Sequence, residues 1–220
     1  MKSDKLIIYH GSSQIIEKPT YGLGNKDNDY GLGFYCTENI ELAREWACSD
    51  KENSWCNRYA LSTDGLKILN LTSDEYNELQ WLALLMDNRD VRMGNTQIES
   101  AAKWLVDNYL IDISGYDVII GYRADDSFFS IVRSFVNGTL PIELLKKSLE
   151  RGVLGEQVVL KSKKAFEQIK FEKVEAVDHR TYYPRRVSRS TRASEEFSNQ
   201  DISTIKNGTF INDLIRKGGK

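Results

Sequence analysis

The 220-residue chain reads as an α+β protein on three observations. Short apolar, β-branched runs bounded by turn residues recur at residues 5–9, 57–62, 66–71, 116–122, 155–160 and 171–177. Between them lie segments with apolar residues at helical spacing, several opened by capping patterns. The third observation is one stretch, Asp29-Tyr30-Gly31-Leu32-Gly33-Phe34-Tyr35-Cys36-Thr37, whose two glycines and three aromatics are more than a plain strand needs. Glycines at alternate positions let a backbone or a flat ligand come close, and Tyr30, Phe34 and Tyr35 offer faces for stacking. An ordinary turn leading into a core strand accounts for the same residues equally well.

In chain order, residues 5–9 form a strand that runs into His10-Gly11-Ser12, with one of only two histidines. Residues 19–28, rich in Gly, Asn and Asp, form a polar loop able to fold over a ligand. Thr37 is expected to cap a helix with Glu38 and Glu41 in its first turn and Ile40, Ala43, Trp46 and Ala47 on its apolar stripe. Two strands around a Thr63-Asp64-Gly65 turn follow, and then Thr72-x-x-Glu75 and Thr96-x-x-Glu99, each the pattern of a capping box opening a helix.

The strand at 116–122 ends in Arg123-Ala124-Asp125-Asp126-Ser127-Phe128-Phe129, where an acidic residue caps the next helix. Pro141 and Gly152 bracket another helix. The strand Gly155-Glu156-Gln157-Val158-Val159-Leu160, a short helix at 162–168 and a closing strand complete the body. An amphipathic segment at 210–215 is suited to docking on the body or on a partner.

Composition fits one globular domain, residues 1–178, with a basic, partly flexible extension at 179–220; 40% of residues are hydrophobic and 28% charged. No apolar run approaches the roughly 18 residues that span a bilayer, and the first residues lack the apolar segment of a signal peptide, so a cytoplasmic location is expected. Cys36, Cys48 and Cys56 are odd in number and lack metal-ligand spacing, which favours reduced core thiols over a disulfide or zinc. Residues 161–192 hold ten Lys/Arg against four acids, a local +6 in a chain of net charge −2. Such a stripe suits phosphate or an acidic macromolecule, although a solvated basic face is the commoner case. Neither a P-loop nor a strand-following Gly-x-Gly-x-x-Gly is present.

A strand ending in His10-Gly11, then Gly31-x-Gly33-Phe34-Tyr35, then a late strand opening with Glu156 resembles the His-Tyr-Glu pattern of diphtheria-toxin-like and poly(ADP-ribose)-polymerase-like ADP-ribosyltransferases. The chain is more closely similar to an uncharacterised bacterial domain family placed in that superfamily, with His-Gly-Ser, Gly-x-Gly-Phe-Tyr, Ala-Asp-Asp-Ser-Phe-Phe and Gln-Val-Val in this order. The resemblance runs from about Tyr9 to about Tyr183.

It implies an ADP-ribosyltransferase-like fold, two small packed sheets forming a cleft among helices, with NAD+ as substrate and a protein or nucleic acid as acceptor. It also implies a toxin or phage-defence effector, with a small antitoxin protein as partner. By the same resemblance, His10 binds the adenosine-side ribose, the Gly11 backbone grips the nicotinamide amide beside Ser12, and Tyr35 at Gly33 stacks on the nicotinamide. Trp46, eleven residues after Tyr35, takes the second ring face, with an ordinary core tryptophan as the alternative. Glu156 is expected to be the catalytic carboxylate.

Gln157 competes for that place, because the closer family carries glutamine there and successive strand side chains face opposite ways. If Gln157 faces the cleft, the carboxylate comes from elsewhere, with Asp125 or Asp126 first in line, or the chain is an NAD+-binding pseudoenzyme. An NAD+ glycohydrolase, with water as acceptor, is a further alternative.

Overall fold

A computed structural model describes residues 5–49, 52–89, 96–124, 126–150, 155–198 and 206–218. Two small sheets carry the fold. In the first, β1 (Lys5–Ser12), β3 (Ser54–Ser62) and β7 (Ile169–Val177) are antiparallel, with β3 central. The second has the order β2 (Phe34–Cys36), β6 (Glu156–Leu160), β5 (Val118–Tyr122), β4 (Ile68–Asn70); only the β4–β5 pair is parallel. The sheets meet where Tyr9 and Thr37 exchange backbone hydrogen bonds of 2.8 and 2.9 Å.

Alternation along the strands divides the core in two. Phe34, Cys36, Val158 and Leu160 face the first sheet and pack with Ile8, Tyr59 and Leu61. Val159, Ile119 and Leu69 face the other way, onto α2 (Glu78–Asn88), α3 (Thr96–Tyr109), α4 (Asp126–Val136) and α5 (Ile142–Glu150). Tyr35 and Gln157 belong to this second, helical side, while Glu156 shares its side of β6 with Val158.

Several expected boundaries move. Thr37 does not cap α1 (Ile40–Ala47), because its backbone is held in the bridge to Tyr9; Asn39 caps instead, accepting from the Glu41 and Leu42 amides. Thr72 is likewise held by Asn70, and α2 opens on a capping box between Asn77 and Gln80. The strands on either side of the Thr63-Asp64-Gly65 turn lie in different sheets. By contrast, Ser162 caps α6 (Lys163–Gln168) where a helix was expected.

Residues 179–198 of the basic extension form a helix that packs on α1. In α7 (His179–Ser198), Arg185 pairs with Glu41 at 3.0 Å and Arg189 with Glu45 at 2.6 Å, both acids on α1. The amphipathic segment becomes α8 (Ile211–Arg216), which buries Ile211 in the helical core and docks on the body. Among the described residues, no helix is long and apolar enough to cross a membrane.

Candidate functional site

The turn before β2 is built around tyrosine hydroxyls. Gly31 turns the chain with φ +70, a conformation that L side chains rarely adopt, and a Cβ there would also press on the end of the Asn88 side chain, 2.5 Å from Oδ1. The turn folds back on Tyr35, whose hydroxyl donates to Gly31 O at 2.5 Å and accepts from the Tyr30 amide at 3.1 Å. Burial raises the pKa of the Tyr35 hydroxyl, keeping it a donor. Lys161 straps the same turn by donating to Tyr30 O and, at 2.7 Å, to Leu32 O.

Behind Tyr35 lies a cavity of about 380 Å³, lined by Asn28, Asp29, Tyr35, Glu45, Trp46, Arg89, Arg123, Ala124, Gln157, Arg186 and Arg189. Its base is a buried polar network. Asp29, 4% exposed, accepts at Oδ2 from the Ala124 amide and from Gln157 Nε2, both at 2.8 Å. Asp29 Oδ1 lies 2.6 Å from Arg89 Nη2, an ion pair without hydrogen-bond alignment, and the same nitrogen donates to Ala124 O at 2.8 Å. Gln157, 3% exposed, donates its second amide proton to Tyr122 O at 3.1 Å.

The walls are aromatic and basic. The Arg123 guanidinium sits over the Trp46 ring, 4.7 Å from its centroid. Arg189 binds Glu45 with two hydrogen bonds of 2.6 and 2.9 Å, and Arg186 donates to Cys48 O at 2.7 Å. Four guanidinium groups thus face two carboxylates, an excess of positive charge that favours an anionic ligand.

Of the residues expected in the site, Tyr35, Trp46 and Gln157 meet in this cavity; the others take different places. His10 does not line it. Its ring lies 4.4 Å from Phe34, on the inter-sheet side, and Nδ1 bonds the Tyr35 carbonyl oxygen at 2.7 Å. Burial lowers the His10 pKa, partly offset by that bond.

The glycines are explained by protein packing. A Cβ on Gly11 would lie 2.1 Å from Ala43 O on α1, and one on Gly33 would lie 2.6 Å from Val159 Cγ1 on β6. Ser12 accepts from the Gln14 amide in a local turn. Tyr30 is fully buried and Phe34 nearly so, so neither offers a face to a ligand.

The expectation that Glu156 faces Tyr35 is reversed. Strand alternation turns Gln157 to the Tyr35 side and leaves Glu156 exposed, lining a separate cavity of about 400 Å³ with Thr37, Glu38, Asn39, Leu42 and Thr72. There, burial and then the neighbouring Glu156 charge raise the Glu38 pKa. Asp125 lies outside the described residues, and Asp126 opens α4.

Sequence reasoning missed Asp29, Glu45, Arg89 and the arginines of α7 as cavity residues. Asp29 carried one available signal, an ionisable side chain directly before a buried Tyr-Gly turn. Nothing local marks Arg89, at the C-cap of α2.

A family model described as "Protein of unknown function (DUF3990)" matches residues 6–171. No match exists among curated proteins or among solved structures. The matched span takes in both sheets up to the start of β7 and the body of the Tyr35 cavity, leaving α7 and α8 outside it. By that match over most of its length, the chain belongs to the DUF3990 family.

Proposed function

We propose that the Tyr35 cavity binds NAD+ and that the chain is an ADP-ribosyltransferase-like enzyme, transferring ADP-ribose to a protein or nucleic acid. The carrying observation is that Tyr35, Trp46 and Gln157, singled out on separate elements by the resemblance, line one cavity beside a two-sheet body. Tyr35 and Trp46 supply apolar faces for the nicotinamide ring, and the arginine excess suits the diphosphate. In the transfer, the bond between ribose C1′ and the nicotinamide nitrogen breaks, and its electron pair leaves with nicotinamide. The acceptor's nucleophile bonds to C1′ and releases its proton.

His10 serves this reading indirectly. Through Nδ1 it ties β1 to the Tyr35 carbonyl and fixes the strand that presents the tyrosine. One observation favours a second reading, an NAD+-binding module without transfer: the cavity carries the neutral Gln157 amide where the resemblance implies a carboxylate. A carboxylate stabilises a developing ribosyl cation far better than an amide does.

Purified protein incubated with NAD+ labelled in the adenylate moiety and with bacterial lysate separates these readings. Label carried into protease- or nuclease-sensitive material supports transfer, and free ADP-ribose points to hydrolysis. Binding by calorimetry with neither product identifies the module. Absence of NAD+ binding at millimolar concentration overturns the proposal.

A further inference from the structure

The Gln157 amide is held in one orientation. Its nitrogen faces two acceptors, Asp29 Oδ2 at 2.8 Å and Tyr122 O at 3.1 Å, so both N–H protons are engaged. A flipped amide would set its oxygen against a carboxylate and a carbonyl. Tyr122 O cannot turn away, since Tyr30 Oη donates to it at 2.8 Å and Trp81 Nε1 at 3.3 Å. Asp29 is fixed in turn by the Ala124 amide and Arg89. No described residue donates to Gln157 Oε1, and the side chain lines the cavity while almost wholly buried.

We propose, resting on the cavity being the NAD+ site, that Asp29 is a positioning residue that locks Gln157 with Oε1 toward the ligand, so that the site selects a hydrogen-bond donor there. The donor is an N–H or O–H of the ligand, either the nicotinamide carboxamide or a ribose hydroxyl. The same lock explains the glutamine. A group between a carboxylate and a carbonyl must donate twice, which an ionised glutamate cannot do. The carboxylate at this position is therefore that of Asp29, one layer behind the reading atom.

The test compares wild type, Asp29→Asn, Gln157→Glu and the double variant, reading the thermal midpoint from pH 4.5 to 8 and NAD+ affinity by calorimetry. In Gln157→Glu the introduced carboxyl lies against Asp29 and is expected to titrate well above about 4.3, the usual glutamate value. Its folded pKa being raised, stability is fully present below the unfolded value and is lost as pH rises through the folded one. In the double variant the like charge is gone, so this loss shrinks and moves to lower pH. The same pH dependence in single and double variants overturns the lock, whatever the ligand.

Asp29→Asn is expected to weaken NAD+ binding about tenfold or more, the effect of one misdirected charge-linked hydrogen bond. Affinity within twofold of wild type overturns the positioning role. The two donor sources separate with nicotinic acid adenine dinucleotide, which lacks the carboxamide N–H. Wild type rejecting it while Asp29→Asn does not assigns the carboxamide; equal loss for both ligands assigns a ribose hydroxyl. If wild type fails to bind NAD+ while the pH coupling appears, the ligand assignment falls and the lock stands.

Discussion

The two sides of β6 solve opposite problems with neighbouring residues. On the Tyr35 side, Gln157 is 3% exposed, both its amide protons are hydrogen-bonded, and Asp29 accepts two hydrogen bonds at Oδ2 while Oδ1 is ion-paired with Arg89. On the other side, Glu156 is exposed and faces Glu38 in a cavity of similar size, about 400 Å³ against 380 Å³. Arg189 borders both. One side is a buried network in which every group depends on the next; the other is a solvated pair of like charges. Cavity size does not separate them, whereas fixed polar geometry does.

The largest expected effect breaks the buried side. Asp29→Ala strands the Arg89 charge, the Ala124 amide and one Gln157 proton, and removing one partner of a buried pair costs about 3–5 kcal/mol. Arg89 keeps a quarter of its side-chain exposure, which places the expected loss toward the lower end of that range. Equilibrium urea unfolding measures it. A loss below about 1 kcal/mol would mean that the network relaxes and that the two sides of β6 do not differ in rigidity.

Next in size is Trp46→Ala, expected to lower NAD+ affinity about tenfold, corresponding to about 1.4 kcal/mol of lost stacking and burial. Trp46→Phe should keep most of it. Calorimetry decides: unchanged affinity in Trp46→Ala returns this residue to the role of a helix-stripe tryptophan under Arg123. Tyr35→Phe sharpens the same side differently. It keeps the ring face but removes the hydroxyl that holds the Tyr30–Gly31 turn, so stability should fall by about 1–2 kcal/mol while NAD+ affinity stays within a few fold. The reverse outcome would make the hydroxyl, and not the ring, the ligand contact.

His10 adds a pH signature to the inter-sheet side. Its folded pKa is lowered by burial, so its contribution to stability is present above about 6.5 and is lost as pH falls toward the folded value. His10→Gln, which keeps a donor for Tyr35 O, should flatten thermal midpoints between pH 7 and 5. An unchanged slope would assign the acid sensitivity to other groups.

The sequence was legible where local signals and tertiary demands agree. Ser162 caps α6 as its pattern says, and the β-branched runs at 118–122 and 156–160 are strands. It misled where a residue with capping chemistry had a distant or competing partner, as Thr37 has in Tyr9 and Thr72 in Asn70. The same limit applies to the glycines. Gly11 and Gly33 do mark close approach, but to α1 and β6, and sequence alone does not say whether a ligand or the protein comes near. Tyr35, Trp46 and Gln157, which the resemblance singled out, line one cavity. Arg89 carried no local signal and Asp29 only its place before the Tyr-Gly turn, since their pairing arises from folding that turn against the end of α2.

The smallest expected effect belongs to the exposed side and bears on the comparison itself. Glu156→Gln removes one of two like charges. Glu38, raised first by burial and then by Glu156, has a folded pKa above its unfolded value, so wild type loses some stability as pH rises through it. Without the Glu156 charge part of that loss disappears: the variant should match wild type near pH 4 and be slightly more stable at pH 7, within about 0.5 kcal/mol. NAD+ affinity and turnover should both stay within about twofold, because the side chain points away from Tyr35 and exposed substitutions seldom do more. A collapse of turnover with NAD+ binding intact would instead make Glu156 the carboxylate that acts on the ribose. The ligand would then have to reach past Arg189 from one cavity into the other, and the two sides of β6 would form a single site.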